Sequence, residues 1–228
     1  MTPGTVANAV KSRFAAWLGF GLGAFHLANV AGILVVSTMV VRAVHLTAVL
    51  VLIYFSFAAF TEQEKAARIR IAPYIDLVLG LLALLTGVYL LTRWDAIALS
   101  GGLTTTLDLI VGSLIVLLVL EAARRAVGLF LSIITLSFLL YPFVSPYLGG
   151  MFYGRGVRFE TVVGFLSLSG QGIYGIPIGV ASTYIILFTI FGAFLSDFGA
   201  GDFFFALSRS VTRGFRAASA KTAVIFST

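Results

Sequence analysis

Gly170–Lys221 reads GQGIYGIPIGVASTYIILFTIFGAFLSDFGAGDFFFALSRSVTRGFRAASAK, and this stretch sets the fold class. Upstream of Asp197 the chain carries no Asp, Glu, Lys, Arg or His back to Glu160, so residues 161–196 are uncharged. A helix needs only ~20 apolar residues to cross the hydrocarbon core of a bilayer. Ile173–Ser196 is therefore the strongest spanning segment in the chain. Pro177 falls in its first turn, where a missing N–H costs little. Gly175 and Gly179 make a GxxxG step that lets a second helix approach closely, and Gly192 offers a further small-residue contact on the same span. Asp197, Gly199, Gly201 and Asp202 interrupt the apolar run. Beyond them, Arg209, Arg213 and Arg216 stand at i, i+4 and i+7 on one helical face, with Phe203–Phe205 and Leu207 as apolar surface. That pattern predicts an interfacial elbow helix lying against the cytoplasmic leaflet.

The rest of the composition agrees. The chain has 228 residues, of which 60% are hydrophobic and 11% charged, with a mean hydropathy of +1.07; soluble domains carry about 25% charged residues. The fold class this implies is all-α: a polytopic integral membrane protein of about six transmembrane helices plus interfacial helices, with a cytoplasmic N-terminus. The lipid bilayer is its first partner. A net charge of +6 belongs in such a chain to loops facing anionic lipid, so no nucleic-acid partner is expected. Without cysteine there is no thiolate metal site, disulfide or cysteine nucleophile. Two histidines, His26 and His45, are too few for a histidine metal cluster, so no metal is expected. Met1–Ser12 is short and polar, and the run after it lacks a cleavage site, so it reads as an uncleaved first span.

Taken in order, the apolar runs are Phe14–Val36, Ala43–Phe60, Tyr74–Leu91, Leu107–Leu120, Gly128–Val144 and Ile173–Ser196. Thr61–Arg70 (TEQEKAARIR) is a charged loop closed by Pro73. Arg93, Trp94 and Asp95 mark an interface. Met151–Glu160 is a polar loop, and Thr161–Ser169 is a short interfacial or re-entrant helix. With the N-terminus inside, Lys11, Arg13, Lys65, Arg68, Arg70, Arg124, Arg125, Arg209, Arg213, Arg216 and Lys221 are cytoplasmic, against Arg42, Arg93, Arg155 and Arg158 outside. The positive-inside rule favours that orientation. Ala220–Thr228 opens a new apolar segment and covers about one third of a span, which predicts a chain that continues.

Motifs for chemistry are sparse. Asp197-Phe198-Gly199 matches a kinase triplet without any of its companion motifs. Gly19, Gly21 and Gly23 lack the strand-to-helix context of a phosphate loop and suit helix packing. No Ser/His/Asp set or paired carboxylates on one helix face makes a case for an enzyme. Ionisable groups near the spans are the remaining candidates, since charge in lipid is costly. His26, mid-span, suits a hydrogen bond across a helix interface or a proton relay. Arg42 and His45, one turn apart at the outer end of the second run, suit interfacial anchoring or an ion-pair or docking role. Asp76, Asp108 and Glu121 sit within a turn of span ends, where capping is the simpler role.

The block Gln171–Thr228, with GIYGIPIGV, FGAFL followed by GAGDFF, and a basic segment before AKTAV, resembles the start of the large membrane subunit of TRAP (tripartite ATP-independent periplasmic) transporters. Gly101–Gly128 (GGLTTTLDLIVGSLIVLLVLEAARRAVG) is similar to the junction of fused permeases, in which a four-helix small subunit precedes the large one. The resemblance implies a four-helix small-subunit-like domain at 1–125 and the start of the transport domain at 126–228. It further implies uptake of an organic carboxylate across a bacterial or archaeal inner membrane, driven by a Na+ or H+ gradient. The partners it implies are a periplasmic substrate-binding protein and the remainder of the large subunit. The family's Gly/Ser-rich hairpin, which builds the substrate and ion sites, follows the AKTAV segment, so those sites are expected beyond Thr228. The competing reading is a stand-alone membrane scaffold or assembly subunit that transports nothing.

Overall fold

A computed structural model describes residues 3–57, 72–100 and 104–212, and among these every regular element is helical. The helices are α1 (Pro3–Val30), α2 (Thr38–Ser56), α3 (Ala72–Leu99), α4 (Thr106–Ala126), α5 (Leu129–Val144), α6 (Phe159–Ser167), α7 (Ile176–Val180), α8 (Ile186–Asp197) and α9 (Ala200–Thr212). Among the described residues five segments are long and apolar enough to cross a membrane: Thr38–Ser56, Tyr74–Leu99, Thr106–Ala126, Leu129–Tyr147 and Ile176–Asp197. The chain thus has the character of a multi-pass membrane protein. The first expected span, Phe14–Val36, is not among the five. Its helix is long enough at 28 residues, but Arg13, His26 and Asn29 dilute its apolar character.

Several boundaries differ from the sequence expectation, each for a local reason. α1 stops at Val30, where Gly32 takes a positive φ of 73° and Asn29 donates to the Leu34 carbonyl at 2.9 Å. α2 starts at Thr38 rather than near Ala43, because the Ser37 hydroxyl caps the Val40 N–H. Arg42 consequently lies inside the helix and not beyond its end. Arg93, Trp94 and Asp95 belong to α3, which runs to Leu99. The sixth expected span is not one regular helix: α7 begins at Ile176, a π-turn occupies Ala181–Ile185, and α8 follows. The break after α8 needs only Gly199, at φ 77°. Gly201 and Asp202 lie in the first turn of α9 instead of interrupting it. The loop Thr61–Arg70, Arg213, Arg216, Lys221 and the segment Ala220–Thr228 lie outside the described residues.

The chain divides into two compact units, residues 1–182 and 183–228. α4 packs on both α5 and α6. In the first unit α2 is central, packed on α1, α3, α4 and α7. Ala43, Leu46, Leu50, Val51 and Tyr54 of α2 are buried with Ala83, Leu90 and Ile97 of α3 and Ile115, Leu118 and Ala122 of α4. Small residues set the helix spacing. A side chain at Gly87 would collide with Thr47, and one at Gly80 would meet Phe55 at 2.9 Å. Contact positions rise along α3 as they fall along α2, so the two helices run antiparallel. Gly112 of α4 plays the same part against Ser167 and Val163 of α6.

α5 shows the opposite surface. Phe130, Ile133, Phe138 and Leu140 are exposed, a cost in water and none in hydrocarbon. Its hydroxyls are satisfied within the helix, with Thr135 donating to Leu131 at 2.9 Å and Ser137 to Ile133 at 2.9 Å, as a non-aqueous surrounding requires. In the second unit α9 carries Phe203, Phe204, Phe205, Leu207 and Val211 exposed and Ser208 and Thr212 buried. Arg209 stands in its last turn.

Candidate functional site

The buried ionisable groups of the first unit gather in three clusters. The best compensated lies at the C-terminal end of α4. Glu121, Arg124 and Arg125 share a face at i, i+3 and i+4 spacing. Arg124 Nε reaches Glu121 Oε2 at 2.7 Å, and Arg125 Nε reaches Glu121 Oε1 at 2.8 Å. Arg125 Nη1 then crosses to Asp76 Oδ1 of α3 at 2.8 Å, with both side chains nearly fully buried, at 1% and 5% exposure. It also donates to the Phe57 carbonyl after α2. The Arg125 guanidinium stacks 5.0 Å from the Tyr54 ring centre, and Tyr54 donates to the Leu118 carbonyl at 2.6 Å. One arginine ties three helices together.

The second cluster is a helix cap. Asp108, 2% exposed, forms a capping box with Thr105 at the start of α4. Its Oδ2 accepts from the Thr105 N–H at 2.9 Å and from the Thr105 hydroxyl at 2.7 Å, and Tyr89 donates to Oδ1 at 2.8 Å. Arg93 stands 3.9 Å away. The carboxylate is saturated by these donors, an arrangement for fixing the start of a helix.

The third cluster has no carboxylate among the described residues. His26 of α1 and His45 of α2 lie ring to ring, with His45 Nδ1 and His26 Nε2 3.1 Å apart. They are 1% and 8% exposed. One turn before His45, Arg42 Nη1 donates to the Tyr174 carbonyl at 2.8 Å. Its guanidinium fills the space that Gly179 leaves open, where an added Cβ would stand 2.8 Å from Nη2. Arg42 Nε is buried and has no hydrogen-bond partner among the described residues.

The structure places each residue that the sequence singles out. Arg42 holds the segment before α7 through the Tyr174 carbonyl. His45, expected beside Arg42, is joined instead to His26 from the preceding helix. Gly175 is the N-cap of α7, packed on the Gln171 carbonyl, and does not present a GxxxG face. Gly179 receives Arg42 rather than a helix backbone. Gly192 has open space where a side chain would begin. Asp108 is a cap, and Asp76 and Glu121 pair with Arg125. Sequence reasoning missed Arg125, Tyr54 and Tyr89 as members of these clusters. The Glu121-x-x-Arg124-Arg125 spacing was a usable signal for the local pairs, but nothing local points from Arg125 to Asp76.

Two cavities flank α6. One, of about 560 Å³, is lined by Trp94, Thr104, Arg158, Glu160 and Leu168 among others. The other, of about 470 Å³, is almost wholly apolar, between Phe138, Pro142, Val162 and Phe165. Among the described residues no group of three or more His, Cys, Asp or Glu side chains is placed to hold a metal ion. No protein-family model, curated protein or solved structure matches the chain.

Proposed function

We propose that this chain is a membrane component of a TRAP-type secondary transporter that imports an organic carboxylate with a periplasmic binding protein. The observation that carries this reading is the block Gln171–Thr228, whose GIYGIPIGV, GAGDFF and AKTAV segments resemble the start of the family's large membrane subunit. Five apolar helices and an interrupted helix at 176–197 support it, because transporter folds use broken helices near their sites. In this reading the N-terminus is cytoplasmic, the chain crosses the inner membrane six times, and α9 lies along the cytoplasmic interface. Residues 1–125 act as the scaffold and residues 126–228 begin the transport domain. A Na+ or H+ gradient drives uptake. The residues that bind carboxylate and coupling ion belong to the hairpins that follow the AKTAV segment in the family, so none is assigned here.

The test is uptake of labelled carboxylates into proteoliposomes that hold the complete permease, with a cation gradient and a periplasmic carboxylate-binding protein added. Gradient-driven uptake that requires the binding protein is the expected result. Binding of the periplasmic protein with no gradient-driven uptake would remove the transporter reading and favour a membrane scaffold.

A further inference from the structure

His26 and His45 are the only histidines in the chain, and the fold buries them against each other at 3.1 Å with no acid paired to either ring among the described residues. We propose that they form a one-proton binding site between α1 and α2. One N–H is shared between His45 Nδ1 and His26 Nε2. Of the two outer ring nitrogens, the one on the donating ring is then left with an open lone pair. The proton comes from hydronium, which leaves water behind; of the two residues His45 is the more exposed, at 8% against 1% for His26.

The same geometry limits the site to a single proton. A second excess proton would place hydrogen on both nitrogens of the 3.1 Å contact and break it. It would also set two imidazolium rings beside the Arg42 guanidinium in a medium that screens charge poorly. Among the described residues no acid pairs with either ring. On α3 and α4, Asp76 and Glu121 are held by Arg125 and Asp108 by Thr105 and Tyr89. The segment before α7 offers the Tyr174 carbonyl, which Arg42 Nη1 holds. Arg42 is the charged group one helical turn before His45 on α2.

Occupancy has a mechanical consequence. A proton on His45 puts a positive charge one helical turn from Arg42, whose Nη1 holds the Tyr174 carbonyl and whose guanidinium fills the Gly179 cradle. Like-charge repulsion then acts on the clamp that fixes the start of α7. The proton on α1 and α2 is read out at residues 172–180.

The proposal does not rest on the transport reading, and its test needs no substrate. The 228-residue protein, labelled with 15N-imidazole histidine and a 13C carbonyl at Tyr174, is titrated by NMR in lipid nanodiscs between about pH 4 and about pH 9, either side of the ordinary histidine value. Both rings are expected to respond in one step that takes up a single proton per chain, and the Tyr174 carbonyl signal is expected to move at the same midpoint. In His45→Gln that carbonyl response disappears. Two protons per chain, separate midpoints for the two rings, no titration in this range, or a Tyr174 signal indifferent to the step would each overturn the proposal. The unmodified protein alone yields the stoichiometry and the carbonyl response, so a variant that fails to fold leaves the test intact.

Discussion

Arg125 and Arg42 are both embedded among the helices of the first unit, both hold a backbone carbonyl, and both keep one guanidinium nitrogen buried without a partner among the described residues. They differ in what balances their charge. Arg125 has two carboxylates within 2.8 Å and the face of Tyr54. Arg42 has a carbonyl, a glycine cradle and a neighbouring histidine pair. A charge taken out of water costs several kcal/mol unless it is paired, so the Arg125 cluster is arranged as a structural clasp. The Arg42–His45–His26 cluster gives up that compensation, which is the arrangement expected where charge is to change. The contrast teaches that burial alone does not separate structural from functional ionisable groups inside a membrane bundle. The bookkeeping of counter-charges does.

The largest effect that would break this contrast is loss of the clasp. Arg125→Ala takes the buried arginine from Asp76 and one of two arginines from Glu121 and is expected to lower stability by about 3–5 kcal/mol, read as a fall in the unfolding midpoint in detergent. Adding Asp76→Asn should recover part of that fall, and a single variant as stable as the parent would show that the ion pair holds nothing. Next comes helix spacing. Gly87→Leu drives a side chain into Thr47 and should cost roughly 1–3 kcal/mol, whereas Gly192→Leu, with open space around it, should stay within ~0.5 kcal/mol. Thermal melts of the pair in parallel check the sign and the order. Two smaller effects compare the arginines directly. Tyr54→Phe removes the 2.6 Å bond to Leu118 and should cost about 1 kcal/mol. Gly179→Ala moves only the far end of a flexible Arg42 and should cost about 1 kcal/mol or less. Hydrogen exchange at residues 172–180 should rise in Gly179→Ala and stay unchanged in Tyr54→Phe.

The apolar helices were legible in the sequence because hydrophobic runs near 20 residues carry their own signal. Residues 128–144 and the short helix near 161–169 fell within a few residues of where the runs placed them. The start of α2 is hidden from hydropathy because a basic residue, Arg42, interrupts the apolar run, while the Ser37 cap five residues earlier sets the boundary. The interruption at 176–185 hides behind an unbroken apolar composition, and hydropathy is blind to a π-turn. In the site, the Asp108 cap follows from Thr105-x-x-Asp108 spacing, a local relation. The pairs Arg125 with Asp76, His45 with His26 and Arg42 with Tyr174 are 49, 19 and 132 residues apart. They depend on which helix faces which, and single-chain patterning does not encode that register.

The most direct measurement is the unfolding midpoint of the double variant His26→Leu/His45→Leu beside that of Arg125→Ala. Replacing both members of a buried hydrogen-bonded pair by apolar groups is close to neutral, whereas stranding one partner is not. If the histidine pair is kept for its proton and the clasp for the fold, the double leucine variant melts within a degree or two of the parent or above it, and Arg125→Ala melts far below. A double leucine variant as unstable as Arg125→Ala would make the histidines structural and contradict the account.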